Sequence, residues 1–237
     1  MGSTTRWQMA QGYEKGFWEN HTDIDLEYFE VFASELQDDI ASYLKLNNTS
    51  SILEVGSGAL GLVSHLKGST RVAIDPLDEY YRTIPAFKEA RDTGVEYRTQ
   101  KGEDIDDPDD TFDLVIMDNV LDHCEDPWKV LLQVQRVLKP GGVLYFRQNT
   151  FTRWGKFVRS VLELFKVDKG HPYTFTKDQI ANWLQELSFT TRSYTDNGYL
   201  RAWGSDLTSG KLKSIARAIL LSPRDTTLFI VQSMVVK

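Results

Sequence analysis

Gly56, Gly58 and Gly61 stand in G-x-G-x-x-G spacing immediately after the apolar run Ser51–Val55, and Asp75 closes the next apolar run nineteen residues after Gly56. Glycines between a strand and a helix allow a tight turn and let the backbone approach a ligand closely, while the N–H groups that open the helix wait for acceptors. A carboxylate at the end of the second strand accepts both hydroxyls of a ribose. Together these features call for a cofactor of adenosine type.

NAD and S-adenosylmethionine both fit that pattern, and the charge of the ligand separates them. NAD brings an anionic pyrophosphate. S-adenosylmethionine has no phosphate and carries a sulfonium and an ammonium, which favour acceptors and carboxylates around the turn. Glu54 lies two residues before the first glycine, Asp118 ends the strand-like run Phe112–Asp118, and Glu103 and Asp104 follow the run Val95–Arg98. All four fall at the carboxyl edge where open sheets bind ligands, and a cation suits that edge better than a diphosphate. Asp106, Asp107, Asp109 and Asp110 read as solvated loop charges.

The elements that must position these groups follow from hydrophobic period. Leu26, Phe29, Phe32, Leu36, Ile40 and Leu44 recur every three or four residues and predict an amphipathic helix ahead of the first strand. Strand-like and helix-like stretches then alternate: Ser51–Val55, a helix over 60–66 holding His65, Arg71–Asp75, a helix interrupted at Pro85, Val95–Arg98, Phe112–Asp118, a helix over 126–138 stopped by Pro140-Gly141-Gly142, and Val143–Phe146. That alternation predicts a parallel sheet of the doubly wound kind. An extra helix over 151–170 sets Trp154, Phe157, Val158, Val161, Leu162 and Phe165 on an apolar face flanked by Arg153, Lys156, Arg159 and Lys166, and reads as a lid over the sheet, with docking on a membrane surface or acidic partner as the alternative. Beyond it come a helix over 177–187, a strand near 189–194, a helix around 211–221 and a last strand over 226–235.

Composition bounds the rest. With 237 residues, 41% apolar and 26% charged, the chain can bury one sizeable core without a staple. Its 27 Lys and Arg against 34 Asp and Glu give a net charge of −7, which weighs against nucleic acid as the main partner. Cys124 is solitary, and no Cys-x-x-Cys or His-x-x-x-His spacing marks a metal site, so none is expected. The start MGSTTRWQMA shows no signal-peptide run, and no window reaches a membrane span, which makes a cytoplasmic protein the expectation.

Six blocks in order then resemble the class I S-adenosylmethionine-dependent methyltransferases, in the small-molecule branch that includes ubiquinone-type enzymes. They are Leu53-Glu-Val-Gly-Ser-Gly58, Ala73-Ile-Asp-Pro76, Gly102-Glu-Asp-Ile105, Thr111-Phe-Asp-Leu-Val115, Val120-Leu-Asp-His123 and Arg136-Val-Leu-Lys-Pro-Gly-Gly142. The resemblance implies an α/β fold: a Rossmann-like, seven-stranded sheet, mostly parallel, with the final strand antiparallel beside the fifth, plus helical caps. It implies one domain over 1–237, with caps over 1–50, a cofactor core over 51–150, a cap insertion over 151–175 and a C-terminal part over 176–237. By position, Glu54, Gly56, Ser57 and Gly58 would border the methionine portion and Asp75 the ribose. Gly102, Glu103 and Asp104 would surround adenine, Asp118 and Asn119 would face the methionine ammonium, and Leu121 would close the pocket. Lys101 departs from the family's frequent acid at that place.

The expected reaction is in-line methyl transfer from S-adenosylmethionine to a small-molecule acceptor, leaving S-adenosylhomocysteine. Hydroxyl acceptors need a base, which singles out histidines. His171, in the loop His171-Pro172-Tyr173, and His123, after the fourth strand, are the candidates; His21 reads as a lid residue. Arg147 and Asn149 after the fifth strand, and Tyr13 and Trp18 in an aromatic cluster, are candidate acceptor contacts. An NAD-dependent oxidoreductase and a non-catalytic S-adenosylmethionine-binding protein are the alternatives. Oligomeric state is not legible.

Overall fold

The computed structural model describes residues 3–20, 25–165 and 170–234. Nine α-helices and seven strands follow one another among them: α1 (Ser3–Glu19), α2 (Leu26–Ile40), β1 (Ser51–Val55), β2 (Thr70–Asp75), α3 (Asp78–Tyr81), α4 (Pro85–Ala90), β3 (Glu96–Thr99), β4 (Phe112–Asp118), α5 (Pro127–Val137), β5 (Leu138–Phe151), α6 (Arg153–Leu164), α7 (Lys177–Glu186), β6 (Thr190–Asp196), α8 (Tyr199–Thr208), α9 (Leu212–Ile219) and β7 (Arg224–Gln232). The strands form one sheet in the order β3-β2-β1-β4-β5-β7-β6. Strands β1 to β5 pair parallel, and β7 runs antiparallel to both β5 and β6. The order reverses between β1 and β4, and that switch point opens a crevice at the carboxyl ends of the strands.

Alternation along β4 shows how the layers arise. Leu114 and Ile116 face Phe32, Leu36 and Ile40 of α2, whereas Val115 and Met117 face Val130, Leu131 and Val134 of α5. Successive strand residues point to opposite faces, so a strand buried on both sides carries a continuous apolar run, as β4 does from Leu114 to Met117. Asp25 caps α2 by accepting from the Tyr28 N–H at 2.9 Å, and Asp126 caps α5 by accepting from the Lys129 N–H at 3.1 Å.

Four elements differ from the sequence expectation. The helix expected over 60–66 is a single 3-10 turn, Leu62–His65, and the His65 ring stacks on Phe29 at 6.2 Å. Gly56, Gly58 and Gly61 all have positive φ, so the chain turns too often there to wind a helix. β5 begins at Leu138 and runs to Phe151 because β7 pairs with its far half, and residues 139–142 are absorbed where the β4 pairing jumps from Leu138 to Val143. Helix α8 was not visible in the sequence; Arg217 of α9 holds its Asp206 at 2.5 Å, and its Trp203 Nε1 donates to the Ala218 carbonyl at 3.0 Å. Helix α6 forms, but its apolar face is not a lid over the sheet: Trp154, Phe157, Val161 and Phe165 are exposed and only Gly155 is buried. Lys166, Val235 and His21 lie outside the described residues.

Gly56 is the tightest point of the carboxyl edge. Its φ is +70°, and a Cβ there would sit 2.6 Å from Val120 Cγ2. Gly56→Ala is expected to cost roughly 2–4 kcal/mol from backbone strain and overpacking. Gly12→Ala, in α1 with nothing within 4 Å of the added carbon, is expected to gain up to about 1 kcal/mol. Urea midpoints of the two variants check this, and equal midpoints would refute the strain argument.

Candidate functional site

Two buried carboxylates organise the turn after β1. Glu54 lies beneath it, and its Oε2 accepts from the Val63 N–H at 2.8 Å. Asp75 accepts from the Gly58 N–H at 3.0 Å and from the Leu77 N–H at 2.8 Å. The missing helix thus has its orphan donors satisfied by side chains. Burial raises Glu54 to about 7 and Asp75 to about 6, with neighbouring carboxylates adding to both and the backbone N–H bonds working against the rise.

A hollow of about 400 Å³ opens over this turn, walled by Gly56–Leu60, Asp75–Leu77, Gly102, Glu103, Asp118–Val120, His123 and Cys124. Helix α1 closes it with Trp7, Gln11, Glu14 and Trp18. Those four recur every three or four residues, a helical stripe in the sequence, but the stripe mixes aromatic and polar side chains and does not read as a buried face. Trp18 packs edge-on against Tyr81 and Phe87 at 5.9 and 5.7 Å. Glu14, Asp25, Asp75, Glu103 and Asp118 bring five carboxylates to the hollow against one cation, Lys101, itself paired with Glu125 at 3.0 Å. Cys124 is buried, and burial pushes its thiol well above its ordinary value.

Several expected contacts belong elsewhere. The Glu54 side chain supports the turn from below and does not line the hollow. Asp104 faces outward and pairs with Lys129 at 2.7 Å. Leu121 is wholly buried in the core. Arg147 grips Asp118 through two bonds of 2.6 and 2.7 Å and lies over the Phe32 ring, because Asp118 and Arg147 are register neighbours on β4 and β5. Asn149 donates its backbone N–H to Asn119 and accepts from Thr226, so both are used within the sheet. Glu103 lines the hollow, yet its Oε1 already accepts from the Glu125 and Asp126 N–H groups. Gly102 is glycine for packing: a Cβ would lie 2.9 Å from Val55. Trp18 walls this hollow and not the acceptor side.

A larger cavity of about 1480 Å³ adjoins it, lined by the loop 171–175, the start of α5, and faces of α6, α7 and α9; Tyr13 is on its wall. The two cavities meet at a histidine pair. His123 lines the hollow, His171 lines the larger cavity, and their rings are 4.6 Å apart. His171 Nε2 is 4.0 Å from Asp122 Oδ2, and Asp122 Oδ1 accepts from Gln148 Nε2 at 2.7 Å. One ligand-type atom from each of Asp122, His123 and His171 lies within 4.8 Å of the others, a grouping of metal-ligating types that no sequence spacing announced.

Comparison with known proteins agrees with this architecture. Residues 53–146 match the methyltransferase domain family. Over those residues the chain is similar to the class I S-adenosylmethionine-dependent methyltransferases. It is 36% identical over 100 residues to the mitochondrial ubiquinone biosynthesis O-methyltransferase of Homo sapiens, covering 40% of this chain and 27% of that protein. Against the ubiquinone biosynthesis O-methyltransferase of Cereibacter sphaeroides it is 29% identical over 123 residues, covering 50% and 49%. The chain thus spans between about a quarter and a half of these relatives' length. Geranyl diphosphate C-methyltransferase from Streptomyces coelicolor A3(2), solved with Mg2+, geranyl diphosphate and S-adenosylhomocysteine, shares the fold with a TM-score of 0.61 and 12% identity over 85% of this chain and 79% of that one. The YcgJ protein of Bacillus subtilis does so with a TM-score of 0.57 and 14% identity over 84% and 97%.

S-adenosylmethionine is the cofactor of this class, and the hollow suits it. Gln11 Oε1 is buried there without a hydrogen-bond partner, and Gly58, at a φ of +60°, leaves open space up to Trp18 at 3.9 Å from an added Cβ. Carboxylates around the turn favour a sulfonium and an ammonium and oppose a diphosphate.

The raised carboxylates give this charge match a pH signature. Unfolded, they ionise near 4.5 and 3.8; folded, near 7 and 6, so the cofactor-free chain loses stability as pH rises through that window and levels off above it. A bound cation favours the ionised forms, so binding expels protons and tightens as pH rises through 6 to 7. Calorimetry of S-adenosylmethionine in two buffers of different ionisation enthalpy is expected to show proton release near pH 6 and none at pH 8, and Asp75→Asn is expected to reduce it. Binding that is pH-independent in the parent chain would remove these carboxylates from the cofactor's field.

Proposed function

We propose that this protein transfers a methyl group from S-adenosylmethionine to a small-molecule acceptor held in the larger cavity, with His171 as the base that takes the acceptor's proton. The supporting observation is the seam: one histidine of the touching pair belongs to the cofactor hollow and the other to the larger cavity. Bound there, the cofactor supplies a methyl carbon already activated by its positive sulfur.

The chain's own residues then have three tasks. Asp75 accepts from the ribose hydroxyls, while the carboxylates of the hollow and Gln11 hold the methionine end. Helix α1 covers the hollow and excludes water, which protects the sulfonium and strengthens each charge interaction. Asp122, buried and fixed by Gln148, sets a carboxylate oxygen 4.0 Å from His171 Nε2, which favours the imidazolium once His171 has taken the acceptor's proton. Alignment of donor carbon and nucleophile does the remainder. O-methylation accounts best for a base at this seam, because a neutral amine needs none.

The test is turnover of labelled S-adenosylmethionine with a panel of phenols and catechols. His171→Ala is expected to lower kcat by about 10²-fold, the ordinary contribution of a general base, with S-adenosylhomocysteine affinity within twofold of the parent. The fall in rate toward acid pH should disappear in that variant. Equal pH profiles in variant and parent reject the base. Turnover is also expected to survive EDTA; loss on chelation with recovery on adding Mg2+ would instead give Asp122, His123 and His171 to a metal. Absence of methylated product across the panel, in a protein that binds the cofactor, would favour a binding role.

A further inference from the structure

One wall of the larger cavity is basic in a chain whose net charge is −7. Lys156 and Arg159 of α6, Lys213 and Arg217 of α9, and Arg224 at the start of β7 all line it. The acids nearby are already engaged. Glu163, the carboxylate that α6 turns to this cavity, is held by Arg6 through bonds of 2.5 and 3.1 Å, and Asp206 of α8 is held by Arg217 at 2.5 and 3.1 Å. Among the described residues Arg224 and Lys213 make no ion pair, and the hydrogen bond of Lys156 goes to the neutral Gln179 side chain. Arg159 donates its Nε to Thr174 at 2.9 Å, which points its guanidinium along the loop that also carries His171.

Charge gathered in this way is unfavourable unless something balances it. Arg224 is exposed on the cavity wall, where Arg217 and Arg159 repel its charge and Asp122 and Asp206 attract it. The same interactions place Arg224 in electrostatic reach of Asp122, and so of the histidine pair. The wall is also built to stay in place. Thr152 caps α6, the Trp154 Nε1 donates to the Leu220 carbonyl at 3.0 Å, and Ser222 donates to the Gly155 carbonyl at 3.3 Å, tying α6 to α9 and to the entrance of β7. Aromatic side chains line the cavity as well: Trp128, Tyr173, Phe175 and Trp183, with Trp128 and Phe175 each 5.6 to 5.7 Å edge-on from Trp183.

We propose that the methyl acceptor is an aromatic or otherwise flat apolar molecule bearing an oxyanion, and that Arg159, Arg217 and Arg224, with Lys156 and Lys213, form the subsite that holds the anion. Guanidinium forks grip the oxygens of a phosphate, sulfate or carboxylate two at a time, and lysines add charge. The aromatic side packs against the body, and anchoring the anion on one wall leaves a hydroxyl on the same molecule to meet His171 at the seam. This deepens the methyl-transfer reading above and rests on it.

The experiment titrates the full chain, loaded with S-adenosylhomocysteine, with phenyl phosphate, benzoate and phenol by calorimetry. Phenyl phosphate or benzoate is expected to bind at least tenfold tighter than phenol, and whichever is tighter names the oxyanion. In the R224Q/K213Q double variant that affinity is expected to fall at least tenfold, with S-adenosylhomocysteine affinity within twofold. A double variant that does not fold is replaced by salt: raising NaCl to about 0.5 M should cost the parent's anion affinity tenfold and leave phenol unchanged. Phenol binding as tightly as the anions, anions failing to bind the loaded protein, or anion affinity indifferent to both the variant and salt overturns the subsite. A parent chain that binds no S-adenosylhomocysteine overturns the cofactor reading instead.

Discussion

The turn after β1 has no helix to absorb its backbone donors, and two carboxylates are buried in the sheet edge to do so. Glu54 takes the Val63 N–H from below, and Asp75 takes those of Gly58 and Leu77 from the side. An ionised carboxylate withdrawn from water is costly, and the N–H bonds offset only part of that cost, which is why both acids ionise late. The fold therefore holds a concentration of negative charge that is least comfortable when the hollow is free of cations. Specificity for a cationic cofactor follows from the same groups that shape the backbone.

Around that centre the caps divide the labour by charge. Helix α1 brings Glu14, Gln11 and two tryptophans to the cofactor hollow, whereas α6, α9 and the start of β7 bring lysines and arginines to the larger cavity. The acid-rich N-terminal segment and the base-rich segment after β5 thus border different cavities. The antiparallel β7 matters to this arrangement: by pairing along β5 as far as Phe151 it carries Arg224 to the cavity wall and sets α6 directly after the sheet edge.

Much of this was legible in the chain. The runs Ser51–Val55 and Phe112–Asp118 match the observed strands end to end, because a strand buried on both faces is a plain apolar block bounded by turn residues. The glycine spacing and Asp75 placed the hollow for a related reason: a positive φ and a close approach to a neighbour leave little choice of residue. Helix α8 escaped because Gly204, Ser205 and Thr208 weaken its local preference, and it depends on Trp203 and Asp206 engaging α9.

By itself the sequence determined the doubly wound core, the chemistry of its glycine turn and the sign of charge at the carboxyl edge, since each depends on local spacing. Tertiary structure alone decided which acids line the hollow. Glu54, Asp104 and Leu121 occupy the expected positions in the chain, yet the direction of each side chain is set by contacts that no spacing rule announces: the Val63 N–H, the Lys129 ammonium and the core. Likewise, only folding brings His171 to within 4.6 Å of His123 and beside Asp122, because contacts across some fifty residues are fixed by packing and leave no periodic trace in the chain.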